Sequence, residues 1–382
     1  MARGGRVVID GRIIFRAQCR GIGRALIGWV EQFPCKASDG SVKMLVQRGA
    51  VSPFDLSKVA ERVELIETDL PVVALYRVRA FRRLLAQLDA GVFFSPYHPF
   101  TPLFASCPIV SVVHDCIFEE NPDFAGGRLR QLAYGLLSRV SLARASAVTV
   151  PSLATANAVR RYYPSVATTE VVSNGVSIQL PGIADNASVE EARHHFGLPN
   201  RYVLHVGARR PHKNQQLLLD VLARLDPSIS LVLVGDRDPR MKDHVGERIR
   251  QLGLADRVLE LQNVADRFMG ALYSGAEVFL FPSFVEGYGI PPLEAMASGT
   301  PVVASAIPAL AETCGDGAIL ASPYDPDEWV NAVEYILGHP DATRALIERG
   351  TLVADEATWE RGGVLLYQLL TEWAEARRGR LR

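Results

Sequence analysis

Cysteine is scarce and unpatterned in this chain: Cys19, Cys35, Cys107, Cys116 and Cys314 are five in 382 residues, an odd number without a C-x-x-C pair. No disulfide framework or zinc site is implied, and the expected compartment is the reducing cytoplasm. Long apolar runs are missing as well. Nothing approaches the ~18 residues that cross a bilayer, and the basic start running into RVVID is too brief for a signal-peptide core, so any membrane contact is expected to be peripheral. Neither sign of charge dominates: the net charge of -1 removes the electrostatic case for nucleic acid, which needs a basic domain or stripe. No low-complexity tract or internal repeat interrupts what reads as an ordinary soluble globular composition.

At 382 residues the chain exceeds one ordinary domain and should divide into two. Short apolar runs alternate with helical patterns: RVVID at 6–10, a helix from about 23 to 33, VKMLVQ at 43–48, GVFFSP at 91–96, IVSVVHD at 109–115, a helix over 128–144 and AVTVPS at 147–152. Such alternation predicts a parallel sheet covered by helices on both faces. After 169–176 a polar, turn-rich stretch reads as a linker at 181–199 with one short helix. A second alternation follows, with strands at 202–207, 230–236, 257–262, 277–283, 301–305 and 317–322. The division expected is 1–180 and 200–363 around that linker, each part an α/β, doubly wound Rossmann-like domain.

The most informative stretch is FPSFVEGYGIPPLEAMASGTPVV at 281–303. Glu286 and Glu294 stand seven residues apart. Between them Gly287 and Gly289 let backbone approach a ligand, and Pro291 with Pro292 suits a helix start, where a proline loses no hydrogen bond. Glu294 is then expected in the first turn, beside N–H groups and a partial positive charge able to hold a phosphate. Carboxylates for hydroxyls and donors for phosphate suit a nucleotide sugar. Three further places carry candidate chemistry. GIGRAL at 21–26 follows the first strand and opens a helix, but Leu26 occupies the third glycine position of a dinucleotide fingerprint, so Gly21 and Gly23 either approach a ligand or merely start the helix. His114 and Asp115 end an apolar strand, where open sheets put ligands; the histidine is either a donor to developing charge and sugar hydroxyls or a satisfied structural group, and the aspartate a cap. HVGARRPHKN at 205–214 supplies Arg209, Arg210 and Lys213 just past a strand.

The string of strand, EGYG, PPLEAMASG and TPVVAS resembles the E-x7-E motif of the retaining GT-B glycosyltransferases, a family of sugar-nucleotide-dependent enzymes with many bacterial mannosyltransferases. The resemblance runs nearly the whole length and implies two Rossmann-like domains facing a cleft, with a C-terminal helix over about 364–382 crossing back to the first. It implies that Glu294 binds ribose hydroxyls, Glu286 the transferred sugar, and Lys213 with the backbone of Gly287, Tyr288, Gly289 and Ile290 the diphosphate. Gly21 and Gly23 then approach that diphosphate, and His114 faces the reacting sugar. Ala208 stands where the family has an arginine, and Arg209, or in second place Arg210, is expected to substitute. Ser173-Asn174-Gly175-Val176 resembles the family's NGV step, where Asn-Gly suits a left-handed turn.

The same resemblance implies retention of configuration and, from the EGYGIPPLEAMA version, GDP-mannose rather than UDP-glucose as donor, with a saccharide or lipid-linked saccharide as acceptor. A GT-B epimerase or a non-catalytic nucleotide-sugar-binding subunit is the alternative of another class. No cofactor is expected. Asp236-Arg237-Asp238 forms a D-x-D, yet Lys213 covers the charge a cation would neutralise, so no metal requirement is expected. Finally, LYRVRAFRRLLAQL at 75–88 reads as a basic amphipathic helix, either docking on the inner face of an anionic membrane or packing its leucines inward.

Overall fold

The computed structural model describes residues 5–15, 20–72, 78–100, 105–166, 169–176, 183–237 and 242–379. Cys19, residues 75–77 and Asp238 lie outside the described residues. The chain divides into two compact units, one comprising Met1–Gly175 with Thr358–Arg382, the other Val176–Ala357. The one short helix expected within 181–199 is Asn186–Phe196, capped by Asp185, whose side chain accepts from Ser188 N at 2.8 Å. Ala192 and Leu198 are buried in the core of the second unit, so apolar anchoring makes this segment part of that domain.

The first unit holds a seven-stranded parallel sheet. Its strands are β1 (Arg6–Asp10), β2 (Val42–Gln47), β3 (Glu64–Thr68), β4 (Ala90–Ser95), β5 (Ile109–Val112), β6 (Ala147–Val150) and β7 (Thr169–Val171), in the order β3-β2-β1-β4-β5-β6-β7. Sequence periodicity missed β3 and did not single out β7, the strands at the two edges of the sheet. The β3 residues ELIET are mostly half-buried at the sheet edge, so the strand lacks the unbroken apolar run of a central one. The second unit has six parallel strands: β8 (Tyr202–Val206), β9 (Ser230–Val234), β10 (Val258–Leu261), β11 (Val278–Phe281), β12 (Val302–Ser305) and β13 (Ala318–Ala321). Their order is β10-β9-β8-β11-β12-β13. Alternate residues feed opposite faces. Phe279 and Phe281 enter one core with Leu204, Val232 and Val302, while Val278 and Leu280 enter another with Val203, Leu231 and Val303.

The last helix, Trp359–Gly379, packs on the helix Arg20–Val30 of the same unit, which therefore takes in the chain from Thr358 rather than from about 364. Glycines set how closely it approaches. A Cβ on Gly362 would lie 2.2 Å from Ser173 O, and one on Gly28 would lie 2.5 Å from the Trp359 ring. Gly175 belongs to this contact too. The expected left-handed turn at Asn174-Gly175 is absent; the glycine stands there because a Cβ would sit 2.2 Å from Trp359 N.

The helix Val78–Gln87 buries Phe81 and Leu85 in the core of the first unit and exposes Arg79, Arg82 and Arg83. Its apolar side is therefore spent on packing, the inward alternative of the two that its sequence offered. Among the described residues no helix is long and apolar enough to cross a membrane.

Gly362→Ala is expected to destabilise the first unit by about 1–3 kcal/mol through overpacking. Gly135→Ala, in the helix Arg128–Arg144 with no atom within 4 Å of a new Cβ, is expected to stabilise it by about 0.5–1 kcal/mol. Denaturant unfolding of the two variants checks both signs.

Candidate functional site

In the second unit the connections change direction between β8 and β11, so the loops leaving the carboxyl ends of these adjacent strands lie at a topological switch point, where open α/β sheets bind ligands. The loop after β8 contains the short 3-10 turn Pro211–Lys213, and Asn214, with φ of 51°, leads into the helix Gln215–Leu222. The loop after β11 carries Ser283 to Gly289. Phe284 N donates to His212 O at 2.8 Å, stitching one loop to the other. Lys213 Nζ donates to Glu286 Oε1 at 2.6 Å and lies 4.9 Å from the centre of the Phe281 ring.

This pair is largely shielded from water, with the Lys213 side chain 16% and the Glu286 side chain 11% exposed. Burial works to raise the Glu286 carboxyl, but the charges of Lys213 and His212 outweigh it and hold the group below the usual carboxylate range. Glu286 is thus ionised and paired before any ligand arrives. His205, on β8, is fully buried and stacks on Phe281. Its Nδ1 donates to Leu280 O at 2.9 Å, and burial lowers its pKa to about 4.

Gly289, at φ of 104°, caps the helix Ile290–Ala297; a Cβ there would meet Leu310 Cδ2 at 2.4 Å. The helix begins at Ile290, one residue before the two prolines, so Glu294 is its fifth residue rather than part of the first turn. Pro291 and Pro292 have no N–H, which leaves Ile290 and Leu293 as the backbone donors of the opening four residues. Glu294 is 3% exposed and accepts from Tyr273 Oη at 2.8 Å. Tyr273 is itself held by Thr300, whose Oγ1 donates to its carbonyl at 2.7 Å. The Tyr288 carbonyl accepts from Thr313 Oγ1 at 2.7 Å.

Arg209 is committed elsewhere. Its guanidinium pairs with Asp243 at 3.0 Å and with Glu260 on β10, while Asp243 also holds Arg237. The substitution of Arg209 for a phosphate-binding arginine is therefore not what this arrangement displays: two carboxylates already occupy its fork of donors. Asp236 carries one half of the D-x-D and Asp238 lies outside the described residues. Among the described residues no three His, Cys, Asp or Glu side chains gather as a metal site.

In the first unit His114 follows β5. Its Nε2–H donates to Pro96 O at 2.7 Å, and its ring stacks on Trp29 with centroids 6.2 Å apart. Burial lowers its pKa to about 4, so the ring is neutral near pH 7. With the proton on Nε2, Nδ1 is an acceptor: His114 can take a hydrogen bond from a hydroxyl but cannot donate to a developing anion. Asp115 Oδ1 accepts from Ile117 N at 3.2 Å, a local capping contact. Gly21 and Gly23 sit inside the helix Arg20–Val30, not in a loop. Gly23 is there for packing, since a Cβ would lie 2.7 Å from the Phe54 ring.

Trp29, His205 and Tyr273 were not identified from the sequence. A histidine inside the apolar run YVLHV was the one local signal; the other two are ordinary helix residues whose roles come from distant partners.

Residues 188–353 match the family model for Glycosyl transferases group 1, and residues 49–180 that for Glycosyltransferase Family 4. The chain is 39% identical over 142 residues to the O-antigen chain mannosyltransferase RfbU of Salmonella typhimurium, covering 37% of this chain and 40% of that protein. It is 36% identical over 167 residues to the MMP alpha-(1->4)-mannosyltransferase of Mycolicibacterium hassiacum, covering 42% and 40% respectively. The alignments thus span about two fifths of the length of these relatives. Among solved structures, HepE of Anabaena in complex with UDP and glucose superposes with a TM-score of 0.77 at 20% identity, covering 96% of this chain and 99% of that one. With both sheets parallel and Rossmann-like, the fold is GT-B, and the two matches to glycosyltransferase family models fall one on each side of the boundary between the units, residues 49–180 mainly on the first and residues 188–353 on the second.

Proposed function

We propose that the chain is a retaining glycosyltransferase that moves a hexose, mannose from GDP-mannose, onto a saccharide or lipid-linked saccharide acceptor. The observation that carries this reading is the shielded Lys213–Glu286 pair at the switch point of the second unit. Support for mannose comes from the names of the relatives, two of which are mannosyltransferases.

In this reading the donor diphosphate replaces Glu286 as the counter-ion of Lys213, with the backbone around Gly289 and Ile290 contributing N–H donors. Glu286, freed from the ammonium, accepts from hydroxyls of the transferred sugar. Glu294, oriented by Tyr273, takes the ribose hydroxyls. His114 accepts from a sugar hydroxyl through Nδ1. The bond between the anomeric carbon and the β-phosphate oxygen breaks, the electron pair leaves with the nucleoside diphosphate, and Lys213 stabilises the charge that gathers there. The acceptor hydroxyl attacks the same face and gives its proton to the departing phosphate, which preserves configuration. Because Lys213 supplies the cation, this reaction calls for no metal.

Thermal unfolding with GDP-mannose, UDP-glucose, GDP and UDP tests the donor. GDP-mannose is expected to stabilise by about 2.7 kcal/mol at about 100 times its dissociation constant. Glu294→Ala should abolish that shift; an unchanged shift would overturn the ribose assignment, and stabilisation by UDP-glucose alone would replace the donor.

Lys213→Ala is expected to lower kcat for sugar transfer by about 10²–10³. A loss confined to KM would remove Lys213 from the leaving-group role.

Histidine protonation sets the pH response. The folded pKa values of His114 and His205 lie near 4, below the unfolded value of about 6.5, so the unfolded chain binds more protons across that interval. Stability should be complete above about pH 6.5 and fall as pH drops toward 4, with Glu286 adding to the loss as it is protonated. The kcat/KM profile should correspondingly show no half-loss at pH 6.5 on its acid side, and a limb there would overturn the neutral role of His114.

A further inference from the structure

The helix Trp359–Gly379 carries two adjacent glycines, Gly362 and Gly363, near its start. Glycine inside a helix disfavours it, so the pair calls for a packing reason. That reason is Trp29. A Cβ on Gly363 would lie 2.5 Å from Trp29 O, and one on Gly362 would lie 2.2 Å from Ser173 O and 3.1 Å from Trp29 Nε1. Gly28, beside the tryptophan on the helix Arg20–Val30, serves the same contact, since a Cβ there would meet the Trp359 ring at 2.5 Å. Trp29 is 1% exposed, its Nε1 donates to Ser173 O at 2.9 Å, and Trp359 meets it edge-on with centroids 6.4 Å apart. Against this clamped ring lies an imidazole: His114 stacks on Trp29 at 6.2 Å with 9° between the planes, an offset-stacked geometry.

We propose that Trp29 is a positioning residue for His114: it fixes the plane of the imidazole and keeps water from that face, so that Nδ1 is presented as an acceptor to a hydroxyl of the transferred sugar. This deepens, and rests on, the reading of His114 as the acceptor for that hydroxyl. Two restraints are needed to aim the ring. The hydrogen bond from Nε2–H to Pro96 O at 2.7 Å selects one of its two flips, because half a rotation takes Nε2 away from the carbonyl. A single hydrogen bond still lets the ring tilt, and the Trp29 face removes that freedom. The charge state is guarded in the same way. His98, whose charge would oppose that of His114 from the turn after β4, is itself neutral, its pKa lowered to about 3 by burial, and Asp115 Oδ1 accepts from Ile117 N. Burial is what holds His114 neutral, and Trp29 supplies one side of that burial. The tryptophan is in turn immobilised by the last helix, so an element from the far end of the chain sets the aim of a side chain next to β5.

The full-length protein, with isotopically labelled histidine, is titrated by NMR without any sugar nucleotide, the His114 signals being assigned by their loss in His114→Gln. Wild-type His114 should keep its proton on Nε2 and stay neutral down to about pH 4. Trp29→Leu should mix the two tautomers and raise the pKa toward the ordinary value of about 6.5. It should also lower kcat/KM for sugar transfer about tenfold or more at neutral pH and add an acid limb that the wild type lacks. Trp29→Phe keeps an aromatic face, and should restore the wild-type signals and lose less than about threefold in kcat/KM. Trp359→Leu should move the signals in the same direction as Trp29→Leu, by less, and decides on those signals if Trp29→Leu does not fold. Leu85→Ala opens a cavity elsewhere in the first unit and should leave the His114 signals in place, which separates aiming from general loosening. The proposal is overturned if His114 in folded Trp29→Leu titrates and places its proton as in the wild type, or if Leu85→Ala shifts it as far. Kinetics separate this inference from the reading it rests on: wild-type rates in His114→Ala would overturn both, whereas a loss in His114→Ala with wild-type rates in Trp29→Leu would overturn this one alone.

Discussion

The ion pair between Lys213 and Glu286 is the interaction on which the candidate donor site depends. Each residue lies on a different loop, and the loops leave neighbouring strands only because the sheet order reverses between β8 and β11. Taken singly, either charge would be costly to hold with so little exposure to water; together they make the two loops one preformed surface. The Phe284 to His212 backbone bond and the Phe281 ring beneath the ammonium restrict the geometry further. A diphosphate entering this surface exchanges one anionic partner of Lys213 for another, so the cost of desolvating the lysine has been met by the fold.

A similar economy operates in the first unit. Glycines in the helices Arg20–Val30 and Trp359–Gly379 bring these two together, with Trp359 edge-on to Trp29 at 6.4 Å. Trp29 donates to Ser173 O at 2.9 Å and stacks on His114. The ring orientation of the histidine is thereby tied to the last helix of the chain, and its tautomer to the carbonyl of Pro96. On the helix Arg128–Arg144 the buried His98 meets Ser138 and Tyr134, while Leu142 enters the core and Leu129, Leu132 and Leu136 stay exposed.

Much of this was legible beforehand. Eleven strands announce themselves as short apolar runs because a parallel sheet covered on both faces demands them, and the edge strands ELIET and TEV escaped because they are under no such demand. The order of strand, EGYG, PPLEAMASG and strand singled out Glu286 and Glu294 as candidates before any coordinate, and HVGARRPHKN singled out Lys213. Glycines were read less well. Gly21, Gly23 and Gly175 looked like ligand loops and a turn, whereas Gly23 and Gly175 answer to a phenylalanine ring and a tryptophan backbone far away in the sequence. Arg209 looked available for phosphate because its partners Asp243 and Glu260 lie on elements whose adjacency the loop sequence does not record.

What the sequence alone determined is the α/β class, the two sheets and the residue types of the candidate site, since these follow from local periodicity and from short motifs each read within its own segment. Tertiary structure decided which charges are already spent, which way the His114 proton points, and which helix turns its leucines to solvent. Those outcomes depend on burial and on pairs brought together from separate elements, and no local pattern encodes either.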